Sequence, residues 1–138
     1  MPDVVSSAHD MISSMSPFLR RERYVFVSLP EGEIGTSLLQ EALATYREDE
    51  GMSLILSVDV ARQAGLPVDQ PMRCITLKVF SSLEGVGLTA AVSRVLAENG
   101  IACNMVSAFH HDHVFVPEAD AEQAVNLLKD LQSAGIVS

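Results

Sequence analysis

The stretch from Arg73 to Gln132, RCITLKVFSSLEGVGLTAAVSRVLAENGIACNMVSAFHHDHVFVPEADAEQAVNLLKDLQ, constrains the fold of this chain most. In Arg73–Phe80, the alternating Ile75, Leu77 and Val79 share one face of an expected strand. Leu88, Ala91, Val92, Val95 and Leu96 then fall at i, i+3, i+4, i+7 and i+8, an apolar helical stripe that Gly100 closes. Ile101–Ala108 and Asp112–Val116 read as strands. Pro117, Glu118 and Asp120 open a last helix, where proline and acidic residues suit the positive end of the dipole. Ala121, Ala124, Leu128 and Leu131 line its inner face. Strand, helix, strand, strand, helix is a split-βαβ unit, with an antiparallel sheet and helices on one face. Ile136-Val137 would add a short edge strand.

The first half repeats this order more faintly. Val4, Val5, Ala8, Met11, Ile12 and Met15 recur at helical spacing, so residues 3–15 predict an amphipathic helix that Pro17 ends. Tyr24–Leu29 is a buried strand closed by Pro30 and Gly32. Glu31–Glu41 is poorly legible, with room for a short helix at Thr36–Glu41. Residues 42–48 and 52–57 flank Asp49-Glu50-Gly51 as a β-hairpin, although ALATYRE would equally continue a helix from Thr36. Val58–Ala64 is helical, stopped by Gly65. The turn-rich GLPVDQP at 65–71 is the internal boundary.

Charge narrows the partners. The 138 residues carry 18 acidic against 9 basic side chains, a net −9. Such a balance repels phosphate backbones and anionic membranes, and no basic cluster offsets it. Arg20, Arg21 and Arg23 are interrupted by Glu22. No window approaches the roughly 18 apolar residues of a membrane span, and Asp3 and Asp10 stand where a secretory leader would be basic. Cys74 and Cys103, each in an expected strand, read as buried reduced thiols. A cytoplasmic protein that binds neither nucleic acid nor membrane is expected.

The segment LTAAVSRVLAENGIACNMVSAFHHDHVFVPEADAEQAVNLL resembles the ACT regulatory modules, especially those of aspartokinases. With REDEGMSLIL and RCITLKVFSSLEGVGLTAAVSRVL in tandem, the chain looks still more like a small family of bacterial tandem-ACT proteins. The resemblance covers residues 20–132 and implies an α+β fold of two tandem ferredoxin-like βαββαβ units. Its domains would be an N-terminal helix at 1–19, a degenerate module at 20–70 and a second module at 71–138. It also implies a small effector, commonly an amino acid, held between two modules, and a homodimer. Carried over by position, Glu84, Gly85, Val86 and Gly87 in the loop and Asn104, Met105 and Val106 in the next strand would hold it. The loop SSLEGVGL departs from the family's Asp-x-Pro-Gly pattern, which leaves the ligand's identity open.

The residues weigh in independently. Gly85 and Gly87 let backbone approach a ligand, and the unpaired N–H groups of a helix start attract a carboxylate. A plain strand-to-helix turn has the same composition. Glu84 would face a ligand ammonium or simply complement the helix dipole. In His110, His111, Asp112 and His113, two imidazoles at i, i+2 share a strand face but lack the third and fourth ligands zinc requires. A polar hairpin tip accounts for them. Glu48-Asp49-Glu50 lacks the alternation of a calcium loop, and Ser81-Ser82 lacks a nucleophile elbow. The expected function is non-catalytic binding of a small molecule, with no cofactor. The alternatives are a small metal- or thiol-dependent enzyme using His111, His113 and a cysteine, or an interaction adaptor with no ligand.

Overall fold

A computed structural model describes residues 8–78 and 86–134. The expectations at Val4, Val5, Val79, Phe80, Ser81, Ser82, Glu84, Gly85, Ile136 and Val137 lie outside the described residues. The chain is α+β, and the order β-α-β-β-α occurs twice. The first copy is β1 (Pro17–Leu29), α2 (Thr36–Glu41), β2 (Ala44–Glu48), β3 (Gly51–Ser57) and α3 (Val58–Gln63). The second is β4 (Met72–Leu77), α4 (Leu88–Glu98), β5 (Asn104–Ser107), β6 (Asp112–Pro117) and α5 (Ala121–Ala134). A helix α1 (Ala8–Ser14) precedes both.

Strand order repeats with element order. The third strand of each copy lies between the other two, as β2-β3-β1 and as β5-β6-β4. The pairs β1–β3, β2–β3 and β5–β6 are antiparallel. These are two tandem ferredoxin-like modules. The repeat is therefore legible in topology where residue identity no longer shows it.

By packing, the chain divides into Glu22–Met72 and a unit made of residues 1–21 with 73–138; β1 runs through both. In the smaller unit, Val25, Leu54, Leu56, Val58 and Ala61 form the core, with Leu38 packed against it. Its α2 is six residues long and buries no side chain completely. In the larger unit, Ile75, Leu77, Val114 and Val116 meet Leu88, Val92 and Leu96 of α4 and Ala124, Leu128 and Leu131 of α5. Met11 and Ile12 of α1, and Met15 just after it, join this same core.

Both α3 and α4 end by the same device. Gly65 and Gly100 take φ of 72° and 71°. The next residue then donates back into the helix, Leu66 N to the Ala61 carbonyl and Ile101 N to the Leu96 carbonyl, each at 2.9 Å. This satisfies carbonyls that a helix end otherwise leaves open. At the start of α3, the Ser57 hydroxyl accepts from Val60 N at 3.2 Å.

Several boundaries differ from the sequence reading. The first strand begins at Pro17, not Tyr24: the ladder continues through the polar Arg20–Arg23, and Pro17 sits at the strand start, where its missing donor is tolerated. Strand β5 starts at Asn104, not Ile101, because the Ile101 amide is spent on closing α4. Cys103 therefore lies just outside a strand. Pro117 closes β6, a 3-10 turn at Glu118–Asp120 follows, and α5 proper begins at Ala121. Both faces of β4 are buried, Cys74 and Thr76 as well as Ile75 and Leu77.

Candidate ligand site

The loop half of the expected site is described from Val86 onward. Gly87 is the N-cap of α4 with φ 108° and ψ −24°, a left-handed conformation that a side chain rarely adopts. Its carbonyl accepts from Ala91 N at 3.0 Å, the first helical bond. Gly87 has no side chain to cap this end, and among the described residues none does so. The first-turn amides of α4 are therefore without an intrahelical acceptor, which is the arrangement that receives an anionic oxygen. Val86 stands 79% exposed beside them.

The strand half divides by the pleat. Met105 packs toward the helices, against the core of the larger unit. Asn104 and Val106 consequently lie on the opposite face. Register pairs them with Phe115 and His113 of β6. On that same face, by alternation from Ile75 and Val114, stand Cys74, Thr76, His113 and Phe115. Asn104 is exposed and Val106 half-buried. Of the three strand residues expected to hold a ligand, two share an outward face and one is a core contact.

Within one module the two halves are not adjacent in the chain path. The eleven residues of α4 carry it about 16 Å away from Gly87, at ~1.5 Å per residue. Asn104 follows that far end.

The polar groups on the outward face are organised. Thr76 Oγ1 and His113 Nδ1 are 3.0 Å apart across β4 and β6. Burial, then the charges of Arg20 and His111, push the His113 pKa below the ordinary imidazole range, while Asp112 opposes them. Arg73 Nε and Nη2 donate to the Arg20 carbonyl at 3.1 and 2.6 Å, tying β4 to β1. Neither the Thr76–His113 pair nor the arginine clamp announces itself in the sequence, since each joins residues from different strands far apart in the chain.

The histidines and cysteines do not assemble. Phe109 and His110 form an exposed hairpin tip, where Ala108 N donates to the His111 carbonyl at 3.0 Å. Cys103 packs on the helix side, away from the face of His113, and its burial raises the thiol pKa. Cys74 shares the face of His113 but has no exposed surface. Among the described residues no three His, Cys, Asp or Glu side chains are grouped to hold a metal ion. A zinc site built from three such side chains is thus lacking among the described residues.

Two family models of the ACT domain match the chain, over residues 5–73 and 69–130. A solved structure of a protein of unknown function from Vibrio cholerae, described as a possible transport protein, is 38% identical. The match covers 90% of this chain and 94% of that one, with a TM-score of 0.79. A protein from Agrobacterium tumefaciens is 22% identical over 84% of this chain and 87% of its own, TM-score 0.66. The regulatory subunit of aspartate kinase from Thermus flavus shares the fold at 10% identity, covering 83% and 95%, TM-score 0.53. No curated protein matches. Fold and sequence together define a regulatory module of the small-molecule-binding kind. The chain belongs to the ACT domain family, with two such domains in tandem. Among the described residues no helix is long and apolar enough to cross a membrane.

Proposed function

We propose that this chain is a non-catalytic, cytoplasmic sensor that binds an amino acid and works as a homodimer. The supporting observation is the uncapped start of α4, opened by Gly87 in a left-handed conformation beside an exposed Val86. Its amides suit the ligand's α-carboxylate, with Gly85 and Gly87 admitting the ligand to the backbone and Glu84 facing its ammonium. Asn104 and Val106, on the outward face of β5, complete the site from a second module, and Met105 supports them from beneath. The separation along α4 favours such a shared site over one within a single module. We divide the chain at 1–19, 20–70 and 71–138; the crossover of the two family matches near residue 70 supports the second of these boundaries.

A thermal-shift screen of the twenty amino acids tests the reading. At least one is expected to raise the unfolding midpoint progressively with concentration. Gly87→Val is expected to abolish that response while the variant keeps its native circular dichroism. No response to any amino acid at millimolar concentration would sink the proposal and favour a ligand-free adaptor.

A further inference from the structure

The chain has two lysines, Lys78 and Lys129, separated by more than a third of its length. Both line one concavity of the larger unit, an open space of about 650 Å³. Ser13, Ser16 and Ser133 stand on its rim with Gln132, and Phe18 forms an apolar wall. Among the described residues no carboxylate lines it, in a chain that carries 18 acidic side chains. Among the described residues neither lysine has an acidic partner within ion-pair distance. This is a locally basic concavity in a chain whose net charge is −9.

The concavity is held in shape by contacts from each element that forms it. Gln132 Nε2 donates to the Ser13 carbonyl at 3.2 Å, fixing the end of α5 against the end of α1. Lys78 N donates to the Ser16 carbonyl at 3.4 Å, bringing the end of β4 to the same turn. Ser16 itself sits at φ 42°, a left-handed backbone in a residue other than glycine. The Lys78 ammonium lies 3.9 Å from the centre of the Phe18 ring, which orients it without neutralising it. Two ammonium groups lining one concavity have their mutual repulsion relieved by an anion bound between them, and a preformed rim lowers the entropy lost on binding.

From this arrangement we infer that the concavity between α1, β4 and α5 is a binding site for a compact oxyanion carrying two negative charges. Its chemistry suits a phosphate monoester or a small dicarboxylate. The two ammonium groups share the charge, and the Ser16 and Ser133 hydroxyls reach the remaining oxygens. Lys129 and Ser133 come from one helix face at i, i+4, so the site reads α5 directly. An anion here would clamp α1 and α5 to β4, and so would bear on the stability of the unit that carries α4. The site is separate from the amino-acid site proposed above and does not depend on it.

The test is thermal unfolding of the full chain titrated with inorganic phosphate, malonate or acetate, each at ionic strength matched with sodium chloride. Phosphate or malonate is expected to raise the midpoint saturably, and acetate is not. A response to phosphate alone identifies the phosphate class, and a response to malonate alone the dicarboxylate class. The double variant Lys78→Gln/Lys129→Gln is expected to weaken the apparent affinity at least tenfold. Lys129→Glu, a single change at an exposed position, is expected to abolish the response if the double variant folds poorly. Any amino-acid response should survive in both. An equal anion response in Lys129→Glu, or one no larger than that to sodium chloride, overturns the inference.

Discussion

Thr76 Oγ1 lies 3.0 Å from His113 Nδ1, a hydrogen bond between the buried part of β4, Cys74 to Leu77, and its neighbour β6. The hydroxyl can donate to a neutral ring or accept from a charged one. The bond alone therefore does not oppose protonation of the ring. Burial does, aided by Arg20 and His111, and together they hold the His113 pKa low despite Asp112. In the unfolded chain an imidazole titrates near pH 6.5, so below that the unfolded state binds the proton more readily. The stability tied to a neutral His113 is thus complete above about pH 6.5, and it fades as pH falls toward the lower folded value. We expect the unfolding midpoint to drop between about pH 7 and 5, with a smaller drop in His113→Asn. Identical pH profiles for the two proteins would show that His113 does not carry the effect.

Gly51 shows a second constraint that a sequence cannot price. It begins β3 at φ 144°, paired with Glu48, so the hairpin loop is Asp49-Glu50 alone. A methyl group there would sit 2.7 Å from the Leu29 carbonyl oxygen, which is backbone and cannot step aside. Strain and clash act together, so Gly51→Ala is expected to cost about 2–3 kcal/mol. Gly32→Ala, with nothing within 4 Å of its added carbon, is the control. Urea denaturation of the three proteins measures the difference, and equal midpoints would contradict the geometry.

How much was legible follows from what each signal reports. The stripe from Leu88 to Leu96 read correctly as a helix because a 3.6-residue apolar period is its own evidence. Thr36–Glu41 offers little to read, since a six-residue helix with no fully buried side chain leaves almost no pattern. The polar start of β1 was missed for a related reason. Hydropathy reports burial, whereas Arg20–Arg23 is placed by backbone pairing. Asn104, Met105 and Val106 were singled out by position in a family. Only the observed register separates the core contact from the outward pair. The two-lysine concavity had no sequence signal, because residues 13, 78 and 129 meet only in three dimensions.

The N-terminal helix is a further case in which packing exceeds the sequence expectation. Met11, Ile12 and Met15 were expected on one helix face, and they are all essentially inaccessible in the core shared with α4 and α5. Ile12→Ala removes buried carbon from a site walled by two other helices, so a cost of about 2–5 kcal/mol is expected. In a domain of this length that lowers the melting temperature by roughly 3 °C or more per kcal/mol. Calorimetry reads it directly. A loss below about 1 kcal/mol, the level of an ordinary surface change, would mean that α1 is dispensable to the core.

The two thiols should separate cleanly. Cys74 has no exposed surface, while Cys103 is half-buried just ahead of β5 with its pKa raised by that burial. Thiol reagents attack the thiolate, so Cys103 reacts slowly at neutral pH and faster as the solution becomes alkaline. Cys74 waits for unfolding, because β4 must leave the sheet before a reagent can reach it. We expect one slow equivalent of label on the native chain, two in denaturant, and none on native Cys103→Ser. Rapid labelling of both sites without denaturant would mean that β4 opens readily. The zero exposure of Cys74 would then not reflect a strand that stays closed in solution.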